Sequence, residues 1–426
     1  MRCEMKKLLL LLLLITDCYA QLFTESNSGV TVSLNSVSFA GSFPIATTWI
    51  SGDSGVILKS TNGTLWTNVR SLPIPSTLSL NNICAFDINN ILVTGSDLDS
   101  AYIFMSSNSG TNWIKVLAQS NGYFYSIGKT STTNGLAVGK PLNGRWSLWK
   151  TTNKGFTWDS TNLYLQQAGN ELSWSNALFC EQSNNFVWFG TNNSRIYRGQ
   201  NFSNWLVEQI GQQNSFAIWF TGTLGWMGGN SLMYTTNSGN NWIASPSNPP
   251  GSNDVTSVYY GPIGIFVTRL SNQIYRSTNN GSTWTIAYTA SSGNYRHSCY
   301  FSTFGGGLIF VRSNGRITIS NFPDAVKLLS SRIPEQFSLS QNYPNPFNPR
   351  TKIRFSLPNP SEGGAPALTL IIYDALGREV ETLINEQLNA GTYEADWNAE
   401  KYSSGIYYYK LFTDGFGETK KMILIK

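Results

Sequence analysis

The chain of 426 residues contains one histidine, His297. A metal site built on two imidazoles is therefore excluded, and a Ser–His–Asp triad would have to use that single ring. Its setting, "YRHSCY", reads as an ordinary polar position where a strand begins. Charge is scarce too: Asp, Glu, Lys and Arg make up 12% of the chain, and the net charge of +5 comes without any run of Lys or Arg. That leaves no basic stripe for nucleic acid. Between Leu22 and Pro323 no pair of carboxylates recurs at strand ends, as a hydrolase site would need, and the loops carry Asn where a Ca²⁺ cage would draw on several carboxylates. No cofactor and no metal are expected. Long apolar runs are equally rare. Leu8–Ile15 is an unbroken run of eight, well short of the roughly twenty residues that span a bilayer. Arg2, Lys6 and Lys7 precede it and Cys18-Tyr19-Ala20 follows it, the pattern of a signal peptide over residues 1–20, cut between Ala20 and Gln21. A lipid anchor on Cys18 is the rival reading, which Asp17 fits poorly. The mature chain is expected to have no transmembrane segment. It keeps three cysteines, Cys84, Cys180 and Cys299, so at most one internal disulfide; their apolar contexts suit buried free thiols better.

What the chain has in abundance is Thr, Ser, Asn, Gly and Trp, which favour strands and tight turns. One eight-letter phrase recurs: "SSNSGTNW" (Ser106–Trp113), "TTNKGFTW" (Thr151–Trp158), "TTNSGNNW" (Thr235–Trp242) and "STNNGSTW" (Ser277–Trp284). The shared positions are Asn108, Gly110 and Trp113; Asn153, Gly155 and Trp158; Asn237, Gly239 and Trp242; Asn279, Gly281 and Trp284. Weaker copies end at Trp66 and Trp205, and the six tryptophans are spaced by 47, 45, 47, 37 and 42 residues. A period near 40–45 with strand–turn–strand content marks propeller blades. One further β-like run before each unit, such as "LNSVSFAG" or "VTSVYYG", gives four strands per blade. A seventh unit, Thr303–Ser320, lacks the phrase. "ESNSGVTV" (Glu25–Val32) matches it at Asn27 and Gly29, with Val32 in the Trp position. We therefore expect an all-β fold in which residues 21–324 form a seven-bladed propeller. Its N-terminal strand would close the last blade, with Gly29–Leu34 beside Gly315–Ser320, and leave no open edge.

The phrase has a structural rationale. It would span the hairpin between the third and outer strands. There Asn accepts backbone N–H groups, Gly takes a positive φ, and Trp opens the outer strand with its ring tucked against neighbouring strands. It resembles the Asp-box of sialidase and BNR-repeat propellers, with Asn in place of Asp. That resemblance implies that the box residues carry no chemistry, since in those enzymes the boxes lie away from the active site. It also brings a glycan-cleaving alternative, which would need three arginines, a Tyr–Glu pair and an Asp acid. The family's Arg-Ile-Pro motif lies near the start of the propeller, whereas "SRIP" (Ser331–Pro334) follows it here. "SGDSG" (Ser51–Gly55) suits a tight turn better than a nucleophile motif. "LGWMGGNSLMYTTNSGNNW" more closely resembles propellers of the photosystem II assembly and stability factor type, which implies a non-catalytic scaffold. The remaining tryptophans, such as Trp49, Trp146 and Trp188, are expected mostly at blade interfaces. A few near loop ends would make a sugar- or peptide-binding platform.

After the propeller the composition changes. Residues 325–340 read as a linker. Four prolines between Tyr343 and Pro358 then introduce a stretch of alternating strands, with hairpin turns at Asp374–Gly377 and Asp414-Gly415. "NYPNPFNPRTKIRFSLP", "IYDALGREV", "LNAGTYEADWNA", "SSGIYYYKL" and "TKKMILIK" resemble, in order, the type A C-terminal sorting domain of the type IX secretion system. The resemblance covers residues 341–426, a small Ig-like β-sandwich, with "NPSEGGAPA" (Asn359–Ala367) as an insertion. It implies handling by an outer-membrane translocon and a sortase-like peptidase, and a secreted or cell-surface destination reached through the periplasm. The expected protein is thus an exported binding scaffold for a protein or glycan ligand. The alternatives are a glycan-cleaving hydrolase and a structural adhesion component. An arginine–carboxylate cluster at one mouth of the channel would favour the enzyme, an aromatic rim the binder, and two flat polar faces the structural role.

Overall fold

The computed structural model describes residues 23–426, apart from 43–44, 182–183, 212–213, 262–263, 302–305, 322–325, 331–332, 359–366, 389, 401 and 414. The signal peptide, its Ala20–Gln21 junction, most of the Asn359–Ala367 insertion and Asp414 of the second hairpin lie outside these residues. The chain divides into two compact units, the first ending at Ser320 and the second occupying Asn321–Lys426. No helix among the described residues is long and apolar enough to cross a membrane.

Seven antiparallel sheets make up the first unit. Blade 1 is Leu34–Ser42, Ile45–Gly52, Ile57–Ser60 and Thr67–Asn68, from inside to outside. The innermost strands of blades 2 to 6 are Ser79–Ala85, Phe124–Lys129, Ser173–Glu181, Ala217–Thr221 and Val255–Gly261. Blade 7 is Tyr295–Phe301, Gly307–Arg312 and Arg316–Asn321. Each innermost strand packs beside that of the next blade, and that of blade 7 returns to that of blade 1, which closes a ring of seven. Burial follows from this geometry. Second strands such as Ile91–Ser96 and Gly307–Arg312 are buried along their whole length, because blades cover both faces, while an outer strand such as Ile114–Ser120 is largely exposed. Four strands per blade holds except in blade 3, where only Phe124–Lys129, Gly135–Leu142 and Arg145–Thr151 form the sheet among the described residues. Single bridges Lys150–Asp159 and Arg145–Gln166 stand where its outer strand would run.

The ring is clasped by an N-terminal strand, but not in the expected register. Phe23–Asn27 is the outer strand of blade 7, pairing from Phe23–Ser320 to Asn27–Arg316. Gly29–Leu34 does not pair with Arg316–Asn321, although Val30 and Thr31 pass close to Gly315. It leads into blade 1, with an Asx-turn in which Asn27 Oδ1 accepts the Gly29 N–H at 3.2 Å. The box-like letters thus mark the end of the closing strand, not its beginning. The aromatic that opens this strand is Phe23, buried and stacked on Tyr288 at 5.2 Å, and not Val32. Glu25 in the same strand lies 3.1 Å from the buried Arg312 and accepts from Tyr288 and Ser291 of blade 6.

The second unit is a sandwich of two four-stranded sheets. One holds Val326–Ser330, Gly391–Asn398, Arg350–Leu357 and Ser338–Leu339, the other Glu379–Gln387, Ala367–Asp374, Gly405–Thr413 and Phe416–Leu424. The stretch expected as a linker therefore contributes two strands, the first pairing with Gly391–Asn398. Residues such as Ile353, Leu370, Trp397 and Tyr409 alternate inward into one core. Asp374 Oδ1 accepts the Leu376 and Arg378 N–H groups in the first hairpin, where Gly377 has φ +78°.

Candidate binding site at the mouth of the propeller

Five of the seven innermost strands begin alike. In blade 1 Leu34 pairs with Gly52 and Ser36 with Ser51, leaving Asn35 as an extra residue. The same step leaves out Asn81 in blade 2, Tyr125 in blade 3, Thr256 in blade 6 and Arg296 in blade 7. A bulge breaks strand alternation and re-aims the extra side chain. Here it turns Asn35, Asn81, Thr256 and Arg296 toward the mouth of the central channel, whereas Tyr125 does not line it. Blade 4 exaggerates the device: Ser173 pairs with Thr191 and Leu178 with Phe189, so Trp174 to Ala177 sit opposite Gly190 alone. Within that loop Asn176 has φ +71°. Its Nδ2 donates to the Asn35 carbonyl of blade 1 at 3.0 Å, and its Oδ1 accepts from Asn82 Nδ2 of blade 2 at 2.7 Å. Asn82 in turn donates to Ser36 Oγ and accepts the Ile127 N–H. These amides cross the channel and tie four blades together.

Above them lies a cup of about 330 Å³. Tyr123, Trp174 and Phe216, from blades 3, 4 and 5, line one side. The Trp174 and Phe216 rings stack at 4.6 Å and 29°. Blades 6, 7, 1 and 2 supply the polar side, including Asp254, Arg296, Asn35, Asp53 and Asn81. Asp53 is held by Asn35 Nδ2 at 2.8 Å and Ser79 Oγ at 2.6 Å, both donating to Oδ1. Burial pushes the Asp254 carboxyl above its ordinary range, against the pull of Arg269. Burial also pushes the Tyr123 phenol up, with Asp53 adding to the shift and Arg296 opposing it. Arg296 is exposed at the rim, its Nε 3.4 Å from Ser33 Oγ.

The boxes belong to the other end. Innermost strands start at the cup, second strands return to it, and third strands leave it, so the hairpin after a third strand opens on the opposite face. In the four full boxes the Asn Oδ1 accepts a backbone N–H four residues on, at 2.9 Å for Asn108, 3.0 Å for Asn153, 3.1 Å for Asn237 and 2.9 Å for Asn279. The opening Ser or Thr hydroxyl, which the sequence reading did not single out, accepts the box Gly N–H in each. Gly110, Gly155, Gly239 and Gly281 have positive φ, and so do the residues before them, Ser109, Lys154, Ser238 and Asn280. The box glycine also packs on another blade: a Cβ on Gly155 would stand 2.4 Å from Leu92. Trp113 is buried and donates to the Val69 carbonyl, Trp284 donates to the Ser247 carbonyl, and Trp242 meets Phe220 edge-on. Trp158 is half-buried and bonds only within its own turn, to Gly155. None of these twelve box residues lines the cup.

Other singled-out residues are structural neighbours of the site. His297 is half-buried, accepts the Val37 N–H at Nδ1 from the adjoining blade, and its pKa is driven down to about 4 by desolvation. Cys84, Cys180 and Cys299 are free thiols pushed up by burial, Cys84 to about 11. Among the described residues no group of three or more His, Cys, Asp or Glu side chains is arranged to hold a metal. "SGDSG" forms the turn after the second strand of blade 1, with Ser54 and Gly55 at positive φ, and presents Asp53 to the cup. Ser331 and Arg332 of "SRIP" lie outside the described residues. Trp49, Trp146, Trp188 and Trp226 are buried in the cores, whereas Trp174 lines the cup. The cup residues went unread because their identities differ from blade to blade. Their signal is positional: "LNSV", "LNNI", "FYSI", "SFAI", "VTSV" and "YRHS" align, and the second letter is the mouth-facing residue in all but "FYSI", where Tyr123 lines the cup instead.

The first unit is thus a β-propeller with a cup at one mouth. Among solved structures, the chain is similar to YCF48 bound to D1 peptide, with 14% identity, a TM-score of 0.56, and 71% of this chain and 97% of that chain covered. It is also similar to YCF48 from Cyanidioschyzon merolae, with 15% identity, a TM-score of 0.53, and 70% and 99% covered. At this identity the likeness is one of fold. No curated protein matches the chain. Residues 341–426 match the family profile of the Secretion system C-terminal sorting domain. The C-terminal unit therefore carries a sorting domain, which implies export to the cell surface or the medium.

Proposed function

We propose that the protein is an exported, non-catalytic binding scaffold whose ligand, a protein or a glycan, sits in the cup. The observation that carries this reading is the repeated bulge. Six of the seven blades interrupt the start of the innermost strand, five by a single residue and blade 4 by four, and the side chains so released differ from blade to blade. A purely structural ring has no use for such variation at a shared point. The lining favours binding over hydrolysis. Among the described residues it includes one arginine, Arg296, and Asp53 is already engaged by Asn35 and Ser79. Preformed pockets that combine apolar walls with a few oriented polar groups are typical of ligand sites. The relation to YCF48 bound to D1 peptide supports a scaffold role by fold alone. The sorting domain would deliver the scaffold by the type IX route.

The test is retention of the mature chain on the isolated outer-surface fraction of the cells that export it. Trp174→Ala and Asp53→Asn should each reduce retention at least tenfold with unchanged melting, and the wild-type chain should release no new reducing ends from that fraction. Equal retention of both variants would remove the cup from the mechanism, and steady release of reducing ends lost in Asp53→Asn would make the protein a hydrolase.

A further inference from the structure

The cup's side chains narrow the occupant further, a step that rests on the cup being the binding site. We propose that the occupant is a neutral saccharide, taken by its terminal unit. A sugar ring has two faces of C–H groups and a belt of hydroxyls that each donate and accept. Recognition calls for a flat aromatic surface against one face and short, oriented amides and carboxylates along the belt. The cup provides both from different blades. The stacked Trp174 and Phe216 rings are half-buried and present a rigid apolar wall. Across the ring of blades stand Asn35, Asn81 and Asp53, short side chains that internal hydrogen bonds already orient. Asn81 donates to Ser96 and the Phe124 carbonyl, and Asn35 and Ser79 fix the plane of Asp53. Groups held before binding lose little rotamer freedom when a ligand arrives.

Charge selects within the saccharides. Two carboxylates, Asp53 and Asp254, line the cup against one guanidinium, Arg296, which is exposed at the rim; Arg269, which acts on Asp254, is not among the lining residues. That balance disfavours an anionic ring. Two common modes of peptide recognition use a continuous sheet edge or an apolar groove. The bulges interrupt the innermost strands where such an edge would have to start, and opposite the aromatic wall Leu270 is, among the described residues, the one apolar side chain among the amides, carboxylates, hydroxyls and guanidinium that line the cup. Size and shape point to a chain end. The volume is near the lower limit of ligand pockets, which run from about 300 to 1,000 Å³, and the Asn176–Asn82 amides cross the channel below.

The mature full-length chain is to be titrated, by tryptophan fluorescence and calorimetry, with hexasaccharides of glucose, mannose, galactose and xylose. Oligogalacturonate serves as the acidic control, and an array of random 12-residue peptides as the polypeptide probe. At least one neutral hexasaccharide should bind and quench fluorescence. Its affinity should fall at least tenfold in both Trp174→Ala and Asp53→Asn and stay the same in Trp158→Ala on the opposite face, and its own monosaccharide should compete. Asp53→Asn preserves shape, so its result stands even if Trp174→Ala unfolds. Failure of every neutral sugar, or binding indifferent to both cup substitutions, overturns the proposal. If peptides bind the wild type and lose affinity in the cup variants, the cup remains the site and the saccharide is wrong. If neither probe class responds to the cup variants, both readings fall.

Discussion

A tryptophan at the same repeat position does different work in different blades. Trp113 is buried and reaches across to the Val69 carbonyl, so it joins two blades. Trp158 is half-buried, follows the incomplete sheet of blade 3 and bonds to Gly155 in its own turn. Trp113→Ala should cost about 3–5 kcal/mol, the usual range for a buried Trp. Trp158→Ala should cost on the order of 1–2 kcal/mol, since less apolar area leaves water there. Denaturant titration of the two variants checks the order; an equal loss would mean that the hairpin, and not the contact between blades, sets the value. The boxes were readable because they repeat letters for a backbone reason: two successive positive φ angles and a glycine with no room for a Cβ. The cup was not readable the same way. Asn35, Thr256 and Arg296 share a backbone position and no chemistry, so repetition of letters cannot reveal them.

At the level of strands, closure is the sensitive feature. The sequence points to the N-terminal segment as the clasp, but the letters that suggest its register resemble a box and serve instead as the turn into blade 1. Only pairing could show that Phe23 opens the strand. Removing residues 21–27 should destabilise the whole propeller, because it exposes the edge of Arg316–Asn321 and the aromatic contacts of Phe23. Glu25 adds a pH signature. Burial alone would raise its pKa, but the ion pair with Arg312 and the hydrogen bonds from Ser291 outweigh this and bring it from 4.5 to about 2. Because the folded value is the lower one, the carboxylate stabilises the fold fully above about pH 4.5, and that stabilisation is lost as pH falls toward 2. The difference in Tm between the wild type and Glu25→Gln should therefore be largest above pH 4.5 and shrink toward pH 2. A difference that does not change with pH would show that the charge contributes nothing to the clasp.

For the molecule as a whole, the proposed function gives the two units separate tasks. The sandwich begins earlier than its recognisable letters, since Val326–Ser330 pairs with Gly391–Asn398. Nothing in the spelling of "VKLLS" marks it as a strand of the following unit, because it joins its sheet through a partner far along the chain. A chain ended at Asn321 should keep a folded propeller that accumulates in the periplasm. Normal amounts of that truncated protein outside the cell would refute the export assignment. The account as a whole rests on function residing at the cup and not at the conspicuous repeats. Hydrogen exchange of the mature chain with and without the solubilised outer-surface fraction addresses this most directly. Protection is predicted at the starts of the innermost strands, around Asn35, Asn81, Trp174–Asn176 and Arg296, with the box hairpins Ser106–Trp113 and Ser277–Trp284 unchanged. Protection of the boxes with exchange at the strand starts unaltered would contradict the account.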